Sequence, residues 1–167
     1  MVIGKVICIN MIKLTHILKE IIEAKQVGDR YHFTSLQGLY GILKDGFIKP
    51  NSENQISTTR NKNVDMSSFF EYSGGQVTVM LTLDGNKISN KYKVKPFRYD
   101  PTFWSLPVYQ DKFEFEEQII TNGKNFPIFP YLKSVSITID NERNLNKEML
   151  DQIENILKEK NIPYEIK

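Results

Sequence analysis

The chain has 167 residues, is 40% hydrophobic and 25% charged, and carries a formal charge of +2. That length suits one domain of ordinary size, and the near-neutral balance excludes a global field drawing the protein to nucleic acid or anionic lipid. Cys8 is the one cysteine, which excludes an intrachain disulfide; no Cys/His set has zinc-ligand spacing, and no run reaches the ~20 apolar residues of a membrane helix.

A lone thiol fits a reducing compartment, so a cytoplasmic location is expected. Val2 to Ile9 is apolar but short and broken by Gly4 and Lys5, and no small-residue cleavage site follows, which argues against a secretory signal. Met11 opens a better amphipathic pattern than Met1 does. Residues 1–10 are therefore read as an N-terminal extension and 11–167 as a single domain.

Ile12, Leu14, Ile17, Leu18, Ile21 and Ile22 recur at helical spacing, predicting a helix from Met11 to about Lys25. Arg30 to Phe33 reads as a short aromatic strand. Ser35 is placed to cap a helix running to Asp45, with Leu36, Leu39, Ile42 and Leu43 inward and Gly46 as terminator. Phe47 to Lys49 gives a brief strand closed by Pro50, and Gln55 to Arg60 a strand rich in β-branched residues.

Residues 61–75 read as irregular. Gln76 to Leu83 alternates, with Val77, Val79, Leu81 and Leu83 on one face. Asp84-Gly85 reads as a turn. The lysines between Lys87 and Lys95 read as a solvated edge strand or loop. Pro96, Pro101 and Pro107 mark a long loop that also holds Trp104 and Tyr109. Strands are predicted at 116–121 and 131–140, then a helix capped by Asn146 and stapled by Leu145 and Leu150, then a last strand after Pro163. Strands grouped together between helices argue for α+β rather than alternating α/β. No Gly-x-Gly-x-x-Gly, Walker loop or Gly-x-Ser-x-Gly elbow is present.

Chemistry concentrates in three segments. In Arg30-Tyr31-His32-Phe33-Thr34-Ser35, His32 and Thr34 lie two apart and share a strand face. A ring nitrogen beside a hydroxyl can hold two ribose oxygens, or an amide and a hydroxyl; the blander role is an imidazole bonded to a neighbouring carbonyl. Ser57, Thr58 and Thr59 put hydroxyls near a strand end, where they orient a carboxylate or simply favour the strand. Arg60 follows, either a surface charge or a planar fork suited to a pyrophosphate. In Phe113-Glu114-Phe115-Glu116-Glu117, Glu114 and Glu116 share a face and Glu117 points the other way. Carboxylates this close repel one another unless cations or donors compensate. A charged strand start on a sheet edge is the plainer alternative, but the alternating phenylalanines argue for one buried face.

The order of these segments resembles an ADP-ribosyltransferase. Tyr31-His32-Phe33-Thr34-Ser35 resembles the His-Gly-Thr/Ser element of the poly-ADP-ribose polymerase branch. Ile56-Ser57-Thr58-Thr59 resembles the Ser-Thr-Ser element of the arginine-specific toxin branch, and Glu114-Phe115-Glu116 resembles that branch's Glu-x-Glu. Leu36 to Phe47 also resembles DNA-targeting relatives and phage-encoded members of the fold. Phe33 stands where the first element has glycine, and Arg30 lies two residues before His32, so the branch signatures are mixed.

The resemblance implies a split β-sandwich with flanking helices, and NAD as the substrate that donates ADP-ribose to a protein or nucleic acid. On that pattern His32 and Thr34 hold the nicotinamide side, Arg60 or Arg30 neutralises the pyrophosphate, and Ser57 orients Glu116, with Thr58 and Thr59 beside it. Glu116 stabilises the oxocarbenium-like transition state, Glu114 positions the acceptor, and Glu117 is the second choice for the catalytic acid. Tyr40, Phe69, Phe70 and Trp104 are candidates to stack on a base, though such aromatics are more often core. No metal is implied. The main alternative is an inactive module of the same fold, a phage virion or interaction protein, which the Phe33 substitution favours. An RNA 2′-phosphotransferase ranks last, since only Arg30, His32, Arg60 and Arg98 are available as its basic cluster.

Overall fold

The computed structural model describes residues 28–60, 62–63, 77–96, 116–139 and 145–167. Strand β1 (Arg30–Ser35) passes directly into helix α1 (Leu36–Asp45). Ser35 makes the switch: its backbone is extended, and its hydroxyl accepts the Gly38 N–H at 3.1 Å. Leu36, Leu39 and Leu43 recur at helical spacing and are buried. Gly46 ends the helix at φ 77°, its N–H donating to the Ile42 carbonyl at 2.8 Å. That left-handed conformation favours glycine, and an added Cβ would press to 3.3 Å from the Phe129 ring.

The remaining strands are β2 (Phe47–Ile48), β3 (Gln55–Thr59), β4 (Val77–Leu83), β5 (Lys93–Pro96), β6 (Glu116–Ile120), β7 (Phe126–Pro127), β8 (Leu132–Ile139) and β9 (Tyr164–Ile166). Two more helices, α2 (Gly85–Ser89) and α3 (Lys147–Glu159), complete the described elements. Seven strands form one sheet in the order β5-β6-β3-β1-β4-β8-β9, and β2 pairs with β7 separately. Neighbours are antiparallel except β8 and β9.

One sheet face carries the core. The inward residues of β4 (Val77, Val79, Leu81 and Leu83) meet Val135 and Ile137 of β8, Ile56 and Ile119 of the other half, and the apolar stripes of α1 and α3. Asn146 caps α3 through the Met149 N–H at 3.0 Å, and Ile153 and Leu157 seat it on the core. Among the described residues no helix is long and apolar enough to cross a membrane.

The sheet is narrowly joined at its middle. Strand β1 pairs with β4 at every residue from Arg30↔Leu83 to Ser35↔Thr78, but with β3 only at Tyr31↔Thr59. Two half-sheets, β5-β6-β3 and β1-β4-β8-β9, therefore meet at one bridge and separate beyond it. The α+β class and the split sheet expected from the sequence are the architecture observed.

One local expectation is corrected. Asp84-Gly85 does not make a hairpin turn; Asp84 caps α2, its carboxylate accepting the Lys87 N–H at 3.0 Å. An Asp-Gly pair serves both geometries, and strand order decides between them: β4 and β5 lie on opposite sides of β1, too far apart for a two-residue loop. The lysine run becomes α2 and edge strand β5, with Lys91, Lys93 and Lys95 exposed and Val94 packed on the core. The helix expected over 11–25, and Phe69, Phe70 and Trp104, lie outside the described residues.

Candidate functional site at the sheet split

Strand register assembles the site. Strand β6 pairs with β3 so that Ser57 faces Gln118, Thr58 faces Glu117 and Thr59 faces Glu116. Strand β1 lies on the other side of β3, with Tyr31 opposite Thr59. Three segments far apart in sequence thus end at one place, beside the bridge that joins the half-sheets.

Glu117 is the centre of that place. Its Oε2 pairs with Arg30 Nη1, and its Oε1 accepts from Arg60 Nη2 at 2.5 Å. The side chains are 2% exposed for Arg30, 12% for Glu117 and 41% for Arg60, so the pair with Arg30 is internal and the pair with Arg60 opens to solvent. Thr58, itself buried, donates its hydroxyl to the Glu117 carbonyl at 3.0 Å and fixes the strand from which the carboxylate projects. Burial, and secondly the neighbouring Arg60 cation, push Arg30 down to about 10. Arg30 therefore stays charged at neutral pH. Two guanidiniums against one carboxylate leave the cluster with one excess positive charge, a surplus that suits an anionic ligand.

His32 reaches across the split. Its Nδ1 donates to the Ser57 carbonyl at 2.9 Å, tying β1 to β3 where backbone pairing has stopped. That bond assigns the neutral tautomer: the proton sits on Nδ1, and Nε2 carries a lone pair able to accept from a hydroxyl. Desolvation pushes the ring below its ordinary 6.5, and the bond to Ser57 opposes this only in part. The sign of the pH effect follows. An unfolded chain protonates this imidazole at higher pH than the folded one, so its contribution to stability is present above about pH 6.5 and is lost as pH falls below that value. Denaturant midpoints should drop between about pH 7 and about pH 5 in the wild type, and by less in His32→Gln. An equal drop in both would remove His32 as the cause.

Thr34 sits against α1, where a Cβ on Gly38 would overlap its hydroxyl oxygen. Ser57, read as the residue that orients Glu116, contributes its carbonyl to His32, and Thr59 rather than Ser57 stands across from Glu116. Glu114 and the side chain of Glu116 lie outside the described residues. Arg30, read as a pyrophosphate ligand, is buried against Glu117. Register places it there: Arg30 shares its face with His32 and Thr34, and lies in line with the buried Leu83, Leu81 and Val79 across the β1–β4 pairing. Among the described residues no three His, Cys, Asp or Glu side chains gather as metal ligands would.

No family model matches the chain, and no curated protein matches it. Solved structures do. DarT from Thermus sp. 2.9 in complex with NAD+ aligns with a TM-score of 0.53 at 14% identity, over 85% of this chain and 96% of that one. The fold is that of DarT. The same protein with carba-NAD+ gives 0.51 at 15% identity, over 84% and 95% of the two chains. With ADP-ribosylated single-stranded DNA, DarT gives 0.51 at 14%, over 85% and 95%. The ADP-ribosyltransferase-like fold expected from the order of segments is thus the one observed. What the chain shares with DarT is that fold.

Proposed function

We propose that the protein is an NAD-dependent mono-ADP-ribosyltransferase whose acceptor is single-stranded DNA. The observation that carries the reading is the cluster of Arg30, Arg60 and Glu117 beside His32 at the sheet split. The choice of nucleotide and acceptor takes its support from the DarT complexes with NAD+ and with ADP-ribosylated single-stranded DNA.

In this reading Glu117, rather than Glu116, accepts a hydrogen bond from the 2′-hydroxyl of the nicotinamide ribose. The bond between ribose C1′ and the nicotinamide nitrogen breaks, and its electron pair leaves with nicotinamide. Positive charge develops on the ribose ring, and the carboxylate stabilises it where water cannot screen the attraction. A nucleophilic atom of the acceptor then bonds to C1′ and loses a proton to solvent. His32 Nε2 accepts from a second sugar hydroxyl, and Arg60, the exposed guanidinium, turns to the pyrophosphate. The excess positive charge of the cluster serves that dianion.

The test is incubation with labelled NAD and single-stranded oligonucleotides, reading nicotinamide release and label transfer. Label on the oligonucleotide is the expected result. Label on added protein instead would move the acceptor to the polypeptide class. No NAD binding by calorimetry, together with tight capture of a protein partner, would favour the inactive module.

A further inference from the structure

We infer that Arg30 is a positioning residue, not a nucleotide ligand: it holds one oxygen of Glu117 permanently and leaves the other to work. The inference rests on the proposed NAD chemistry and goes beyond it, because it divides the labour between two arginines that the sequence could not tell apart.

The division follows from where the three side chains stand. Arg30 Nη1 and Glu117 Oε2, the atoms that face each other, are both shut off from solvent. Arg30 Nε is also buried and has no hydrogen-bond partner among the described residues. A pyrophosphate is far too large to reach such a group without prising the sheet apart. Strand β1, which carries Arg30, is moreover locked between β4 at Arg30↔Leu83 and β3 at Tyr31↔Thr59. The guanidinium therefore has a rigid base and a single carboxylate in front of it.

Arg60 differs on each count. It follows the last residue of β3, its side chain is 41% exposed, and it grips the other oxygen, Oε1. A ligand anion can draw it away at small cost, since an exposed ion pair contributes little. When it leaves, Oε1 is released and Oε2 is not. The carboxylate then presents one free oxygen in a fixed direction. Arg30 keeps it ionised, and Thr58 anchors its strand. A carboxylate held by nothing but solvent would rotate and would lose the aim on which preorganised catalysis depends.

Kinetics of Arg30→Met and Arg60→Met test this. Removing the positioning residue should lower kcat by on the order of a hundredfold with KM for NAD within about threefold, whereas Arg60→Met should raise KM by about tenfold or more. The acid limb of the kcat profile should also move to higher pH in Arg30→Met, by about one unit, because a carboxylate stripped of its counterion binds a proton more readily. A merely structural role would not move that limb. Unchanged kcat, or a raised KM at unchanged kcat, would overturn the assignment. Should Arg30→Met fail to fold, Arg30→Lys decides on the same quantities: it keeps the charge without the fork, so a lower kcat at constant KM supports the inference and a raised KM at constant kcat overturns it. A wild type that neither binds NAD nor releases nicotinamide overturns the reading of the site and this assignment with it. An active wild type with an indifferent Arg30→Met overturns the assignment alone.

Discussion

Glu117→Gln is expected to lower nicotinamide release by a hundredfold or more, on the order of 3 kcal/mol of transition-state stabilisation. The amide keeps the size and one acceptor oxygen of the side chain but loses the charge that meets the developing oxocarbenium. Glu116→Gln is expected to cost less than about tenfold, since Arg30 and Arg60 converge on Glu117. A stability effect accompanies the first change. Removing one partner of a buried ion pair leaves the other charge uncompensated, at a cost of about 3–5 kcal/mol. At roughly 2–4 °C per kcal/mol for a chain of this size, the thermal midpoint should fall by about 6 °C or more. Rates must therefore be taken at a temperature where circular dichroism shows the variant folded. If Glu116→Gln is the inactive variant and Glu117→Gln the active one, the assignment of the two acids is reversed.

Leu39→Ala should be strongly destabilising. Leu39 is fully buried on α1, the helix that packs against both α3 and β4. Deleting its isobutyl group removes transfer free energy and leaves a cavity that rigid neighbours do not fill, at a cost of about 2–5 kcal/mol. Urea titration should show the midpoint falling with little change in slope. The effect should extend weakly to turnover, because α1 follows β1 with no intervening loop and β1 carries Arg30 and His32. A loss below about 1 kcal/mol would mean that α1 is not seated on the core as described.

Local chemistry made much of this fold legible. Ser35, Gly46 and Asn146 mark helix ends through groups that satisfy backbone donors and acceptors or adopt a left-handed turn, and these act within a few residues. The alternation of Val77, Val79, Leu81 and Leu83 announces a strand with one buried face for a similarly local reason. Asp84-Gly85 reads as a turn but starts a helix, because the same two residues serve both geometries and strand order chooses between them.

The site divides along the same line. His32, the hydroxyl run 57–59, Arg60 and the acidic run were visible as residue types in an order. Their partnerships were not. Whether Glu116 or Glu117 belongs with Arg30 is a question of register, and a slip of one residue exchanges the two faces of a strand. The pairing Thr58↔Glu117 settles the register. Whether Arg30 meets a ligand or a carboxylate depends on its burial, which nothing in a six-residue window encodes.

By itself, then, the amino-acid order determined the strands, the caps and the inventory of groups able to do chemistry, because short-range hydrogen bonding and side-chain periodicity are written into neighbouring residues. Only the tertiary structure decided that the half-sheets meet at one bridge, that His32 spans the gap to Ser57, and that two arginines share one carboxylate with unequal access to water. Those are contacts between residues from 25 to nearly ninety positions apart. Their strength comes from low dielectric and fixed geometry, which exist only once the chain has closed on itself.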